Sequence, residues 1–174
     1  MLDVAVAYNR YKYIGNEFLT WLWFIIETDQ SFIHSVDESI TSLHVGNRIV
    51  LENRKDEQSE IITIKGDDAG LEEGFLALQK GATVIELNIS CKSENQEWKF
   101  TLKGESLSFS GLKLPETGPL ETKDDIASLV LEKVYFIDKI IDIIELLYNE
   151  FLKKRCDNNW KQTIVPAIKK WMYA

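Results

Sequence analysis

Residues 71–109 read LEEGFLALQKGATVIELNISCKSENQEWKFTLKGESLSF, and the fold is decided in this stretch. After Gly81, the residues Thr83, Ile85, Leu87, Ile89 and Cys91 fall on one side of an extended chain. Val84, Glu86, Asn88, Ser90 and Lys92 fall on the other, and only Val84 breaks the period of two that marks a half-buried strand. Ser93 to Gln96 turns the chain. Trp98, Phe100 and Leu102 then point inward, and Glu97, Lys99, Thr101 and Lys103 point to water. A second turn, Lys103 to Ser106 with Gly104 at its centre, leads into Leu107 and Phe109. Ahead of this meander, Leu71 to Lys80 reads as a helix with Leu71, Phe75 and Leu78 on its apolar side. Glu72 and Glu73 sit in its first turn, where carboxylates interact favourably with the helix dipole. A sheet with one apolar face must be covered by the rest of the chain.

Upstream, Arg48 to Glu52 and Glu60 to Lys65 have β-branched centres, and the polar Asn53 to Ser59 between them reads as a hairpin loop, which brings the strands to five. Gly66, Asp67, Asp68 and Gly70 form a turn; their spacing does not match a calcium loop. Residues 1–13 show no period and predict a short strand or extended arm. Asn16 is positioned to cap a helix bearing Phe18, Leu19, Leu22, Trp23 and Ile26. Trp21, Phe24 and Ile25 widen that face almost all the way round, which predicts a buried helix. An aromatic platform for stacking bases is the alternative, and it requires Trp21 or Trp23 to be exposed. Ser31 to Gly46 reads as irregular, and its two histidines, His34 and His44, lack the spacing of a metal site.

Downstream, Leu114 to Leu120 is a connecting loop, and Thr122 with Asp125 resembles a capping box. A single helix then runs to Arg155. Ile126, Leu129, Val130, Ile137, Ile140, Ile141, Ile144, Leu147, Tyr148, Phe151 and Leu152 hold helical spacing, with Asp138, Lys139, Asp142 and Glu145 opposite. It is the natural cover for the sheet. At about 45 Å it is longer than a sheet of ~17–20 Å strands can cover, so its far end must meet another element. The candidate is Asn158 to Tyr173, with Trp160, Ile164, Ile168 and Trp171 at helical spacing and Pro166 starting or kinking its second half. The expected fold is α+β: an antiparallel sheet of about five strands covered by a long C-terminal helix and shorter helices, in one domain over residues 1–174.

Composition narrows the function. The chain of 174 residues has two cysteines, Cys91 on an inward strand face and Cys156 in a turn between helices, which argues against a disulfide framework or a four-ligand zinc site and fits a reducing cytoplasm. The apolar run Phe18 to Ile26 is far shorter than the ~20 residues that span a bilayer, and Met1 to Ala7 has no secretory pattern. A net charge of −8 argues against general affinity for a polyanion. The charge is uneven, however. Lys153, Lys154, Arg155, Lys161, Lys169 and Lys170 face Asp157 alone in residues 153–174, a local +5 that leaves −13 on residues 1–152. An anionic partner is therefore expected at the C-terminus. The same lysines would also serve simply to solvate a helix end. No nucleotide loop, nucleophile elbow or converging carboxylates point to catalysis or to a cofactor.

Three segments carry a resemblance. Ile62, Lys65, Asp68, Glu72, Glu73, Leu78, Gly81, Val84 and Leu87 form an apolar strand, a charged turn, a glutamate-bearing helix, a glycine and a second strand. The hairpin Gln96 to Leu114 ends in Leu112, Lys113 and Leu114. Ile14 to Phe24 contains Phe-Leu-Thr-Trp-Leu-Trp. Together these resemble the RdgC family of recombination-associated proteins, in particular the later half of its long members and its shorter relatives. The resemblance implies binding to double-stranded DNA with little sequence preference, a ring-like homodimer and a role in recombination or repair. Family members are also labelled exonucleases, for which this chain has no motif. Lys65, Gly66 and Asp67 stand where long members have successive basic and polar residues, so Lys65 alone carries over as a phosphate contact. The candidate nucleic-acid contacts are thus Lys65, Lys153, Lys154, Arg155, Lys161, Lys169 and Lys170, with no metal and no cofactor. The alternative is an acidic protein-interaction module that binds no nucleic acid.

Overall fold

The computed structural model describes residues 4–55, 58–66, 69–118 and 124–174. In chain order the elements are α1 (Val4–Thr28), α2 (Gln30–Val36), β1 (Ser42–Lys55), β2 (Gln58–Lys65), α3 (Ala69–Gln79), β3 (Thr83–Ser93), β4 (Gln96–Lys103), β5 (Ser108–Lys113), α4 (Asp124–Cys156) and α5 (Val165–Met172). A short π-helical turn, Trp160–Ile164, precedes α5. The strands form one antiparallel sheet in the order β2-β1-β3-β4-β5. The architecture is α+β, with five strands and an unbroken helix of 33 residues at the C-terminal end. Asp67, Asp68, Pro119, Leu120 and Thr122, and with them part of the expected turn and capping box, lie outside the described residues.

The meander follows its alternation. Leu87, Ile89, Cys91, Trp98 and Leu102 are fully buried, and Phe100 nearly so. Val84 departs from it: it is buried while Thr83 is exposed and Ile85 is half-buried. The register explains this, because Val50 pairs with Glu86 and Leu51 with Val84, leaving Ile85 as the extra residue of a β-bulge. The bulge reverses the phase of the strand, so its inward set is Val84, Leu87, Ile89 and Cys91 rather than an unbroken run of odd positions. Thr101, expected in water, is covered, and its hydroxyl accepts a hydrogen bond from Asn88 Nδ2 at 3.0 Å.

Four expectations for the first half of the chain are corrected. The segment read as a strand or arm is the first part of α1, which spans 25 residues. Asn16 is therefore in the middle of that helix and caps nothing; it is 2% exposed and faces the β4–β5 turn. Ser31 to Gly46 is also ordered: Asp29 caps α2 by accepting the Phe32 N–H at 2.9 Å, and β1 starts at Ser42. Gln30 fastens the two elements, donating to the Leu43 carbonyl at 2.7 Å and accepting the Leu43 N–H at 3.3 Å. The expected hairpin loop is shorter than its polar composition suggests, because β1 and β2 pair as far as Lys55 and Gln58.

One core unites the helices with the inner sheet face. Phe18, Leu19, Trp21, Leu22 and Trp23 of α1 are completely buried. Phe18 and Trp21 pack on Phe151 of α4 with ring centroids 5.5 and 5.6 Å apart. Trp23 stacks on Phe75 of α3 at 5.4 Å and meets the edge of Trp171 of α5 at 5.2 Å. The last helix thus closes over α1 and α3, while Trp160 in the turn before it meets Phe151 near the end of α4. The other end of α4 is different. Its first fully covered side chain is Phe136, whose carbonyl accepts the Trp98 indole N–H at 3.0 Å. Before it, Ile126, Val130, Leu131, Val134 and Tyr135 are exposed, and beyond it so are Ile137 and Ile141. The far end of this helix does meet another element, as expected, whereas cover starts only at Phe136, and Phe136 and Ile143 are buried in place of Ile137 and Ile141.

Candidate nucleic-acid interface

The inner face of the sheet is largely apolar, with Asn53 and Ser93 as buried polar exceptions, so alternation sends most of the charged strand residues to the opposite face. Register places them side by side. Glu86 lies across from Lys103, Lys92 from Glu97, Lys99 from Lys113, and Arg48 from Lys65. Six basic side chains, Arg48, Lys65, Lys92, Lys99, Lys103 and Lys113, thereby share a face with Glu86 and Glu97, while Glu52 pairs with Arg54 at its end. In a chain of net charge −8, the sheet gathers a local positive excess.

Each of the two carboxylates is shared between cations. Glu86 holds Arg48 at 3.0 Å and Lys103 at 4.0 Å, and Glu97 holds Lys99 at 3.3 Å and Lys92 at 3.9 Å. Ser90 donates to Glu97 at 3.0 Å, and that hydrogen bond, with Lys99 and Lys92, keeps the Glu97 carboxyl below its ordinary pKa. The cations are exposed and Glu86 is half-buried, and surface pairs of this kind contribute little to stability. Among the described residues Lys65 and Lys113 have no carboxylate partner. Asn88 and Gly46 bring β1 and β3 together beneath this layer, since a Cβ on Gly46 would stand 1.9 Å from Asn88 Oδ1. Val50 is buried on this side as well, outside the main core, under the charged layer.

The expected contacts divide into two groups. Lys65 is exposed at the end of β2 and belongs to the sheet face. The C-terminal cations do not gather into one patch of free charge. Lys153 is paired with Glu150, Arg155 with Glu17 at 2.8 Å, and the Lys154 ammonium lies 4.7 Å from the centre of the Phe32 ring. Arg155 also covers Trp160 at 5.6 Å. Lys161, Lys169 and Lys170 are exposed on the last turn and helix. An aromatic stacking platform is excluded for Trp21 and Trp23, both 0% exposed. Arg48, Lys92, Lys99, Lys103 and Lys113 were missed as a group. Alternation does put Lys92, Lys99 and Lys103 outward, but only strand order brings them beside Arg48, Lys65 and Lys113.

Among the described residues there is no cluster of three or more His, Cys, Asp or Glu side chains able to hold a metal ion. None of the described helices is long and apolar enough to cross a membrane. Fold and surface together define an α+β domain with helices on one side of its sheet and a basic, polar face on the other. Searches with protein-family models, curated proteins and solved structures find no match to this chain.

Proposed function

We propose that this protein is a non-catalytic, non-sequence-specific binder of double-stranded DNA, acting in recombination or repair, and that the outer sheet face makes the principal contact. The observation that carries the reading is the register of six basic side chains on that face of an otherwise acidic chain. The resemblance to the RdgC family supports duplex DNA as the polyanion. Contacts of this kind neutralise phosphates and release counterions; they set affinity and orientation without reading bases. Glu86 and Glu97 hold the cations extended over the sheet until phosphates replace them. The acidic remainder of the molecule opposes binding, so affinity is modest and falls steeply with salt.

Fluorescence anisotropy with a labelled duplex tests this. Binding at ~20 mM salt, where screening is weakest, should be independent of sequence and should be lost when Lys99, Lys103 and Lys113 are changed together to Gln. No binding at that salt defeats the proposal. If the triple variant binds normally while Lys161, Lys169 and Lys170 changed to Gln abolish binding, the contact surface is the C-terminal helix. A second reading, an acidic protein-interaction module, rests on the apolar side chains that α4 leaves exposed.

A further inference from the structure

Where α1 meets the β4–β5 turn, the turn and the bulge of β3 enclose a cleft of about 260 Å³. Its walls come from separate parts of the chain: Asn16 of α1, Glu52 and Ile61 of the β1–β2 pair, Ile85 and Glu86 at the bulge, and Lys103 and Glu105 beside the turn. Asn16 lies deepest, at 2% exposure, whereas Ile61, Lys103 and Glu105 are exposed at the mouth. The Asn16 Oδ1 abuts Gly104, between the two charged residues of the wall, and accepts no hydrogen bond. A buried amide oxygen is costly to leave unpaired, so the cleft favours an occupant that donates. Three of the four charged side chains on the walls are carboxylates. Arg54 and Arg48 reach Glu52 and Glu86 from outside the cleft, and Lys103 stands 4.0 Å from Glu86. Among the described residues Glu105 has no partner.

We infer that this cleft binds a small aliphatic diamine, one ammonium donating to Asn16 Oδ1 and the Glu105 carboxylate and the alkyl chain lying on Ile61 and Ile85. The lining selects this ligand. Both unpaired groups are acceptors, and an ammonium brings three donors together with a positive charge. Hydrogen bonds from a charged donor to a carboxylate are among the strong ones. A metal ion needs carboxylates that converge on one point, and among the described residues no three acidic, histidine or cysteine side chains do so. A cation that serves carboxylates spread around the walls must itself be extended. The second ammonium reaches Glu86, where Lys103, at the outer limit of an ion pair, gives way. The two isoleucines then take the methylene chain, a surface that offers a hydrated inorganic ion nothing. An anion would meet the three carboxylates instead.

Isothermal titration calorimetry of the full chain with putrescine, at fixed ionic strength and with no nucleic acid present, is the test, and its outcome does not depend on DNA binding. Saturable binding is expected, tighter than that of n-butylamine, which has one ammonium. Glu105→Gln is expected to raise the dissociation constant at least ~10-fold, by loss of a charge-assisted hydrogen bond. Asn16→Leu should do the same with its far-ultraviolet circular dichroism spectrum intact; if that variant misfolds, Glu105→Gln, at an exposed side chain, decides alone. Absence of binding up to ~10 mM putrescine, or equal affinities for Glu105→Gln and wild type, would overturn the inference. So would magnesium chloride that competes as well as putrescine, since the cleft would then attract any cation. Tighter binding of Nα-acetyl-lysine amide than of putrescine would also overturn it, and would assign the cleft to a lysine side chain of a partner.

Discussion

At Gly15 the backbone of α1 passes so close to the β4–β5 turn that an added Cβ would lie 1.8 Å from the Gly104 carbonyl oxygen. A Cβ on Gly104 would in turn lie 2.3 Å from Asn16 Oδ1. The clash at Gly15 is with backbone, which side-chain movement cannot relieve, so Gly15→Ala should destabilise the protein by about 1–3 kcal/mol in urea titration, the usual cost of overpacking. Trp23 is central to the aromatic cluster with Phe75 and Trp171. Trp23→Ala should cost ~3–5 kcal/mol, and an unchanged melting temperature would contradict its core role. The two cysteines should differ sharply in reactivity. Burial pushes the Cys91 thiol from an ordinary 9.0 up to about 12, whereas Cys156 is exposed. A thiol reagent at pH 8 should therefore modify one cysteine in the folded chain and two in denaturant. Because the folded pKa lies above the unfolded one, the stability this thiol contributes is complete below pH ~9 and is lost as pH rises from there toward ~12. An alkaline denaturation series on wild type and Cys91→Ala should show the steeper fall in wild type.

Elements show why helical spacing alone located the face of α4 imperfectly. Its apolar residues occupy two adjoining stripes, and periodicity does not say which one lies against the core. The contact that decides is Trp98, which donates to the Phe136 carbonyl, while the Lys139 ammonium reaches Ser93 Oγ at 2.9 Å and sits over the Trp98 ring at 5.4 Å. These anchor α4 to the β3–β4 hairpin in one rotation. Truncation should reveal the division between the two sides. Ile143→Ala, at a side chain 1% exposed, should cost about 2–5 kcal/mol. Leu146→Ala, at one 43% exposed, should cost no more than about 1 kcal/mol. Similar values at the two positions, measured by urea denaturation, would mean that the helix is rotated from the position described. The bulge at Ile85 teaches a related lesson for strands: one extra residue reverses the phase, and Val84 was its only trace in the sequence.

For the molecule as a whole, the sheet face and the net charge act against each other, and salt should reveal which dominates. For duplex DNA the slope of log K against log salt counts neutralised phosphates at about 0.9 each, so three lysine-to-glutamine changes at Lys99, Lys103 and Lys113 should reduce that slope by about 2–3. Equal slopes for variant and wild type would place the phosphates elsewhere.

Much of the architecture was determined by local pattern. The five strands, the α3 helix, the inward set of β4 and the unbroken length of α4 are all legible, because alternation by two and by 3.6 is imposed residue by residue. Burial of the Phe18 to Ile26 helix followed from its being apolar almost all round. The tertiary structure alone decided the rest. Residues 4–13 extend α1 although their own pattern is weak, and Asn16 is held mid-helix by the approach of Gly104. Only packing selected the covered half of α4, and only strand order assembled Arg48, Lys65, Lys92, Lys99, Lys103 and Lys113 on one face. The physical reason is common to all of these: periodicity records which side of an element avoids water, whereas the neighbour that excludes the water comes from another part of the chain.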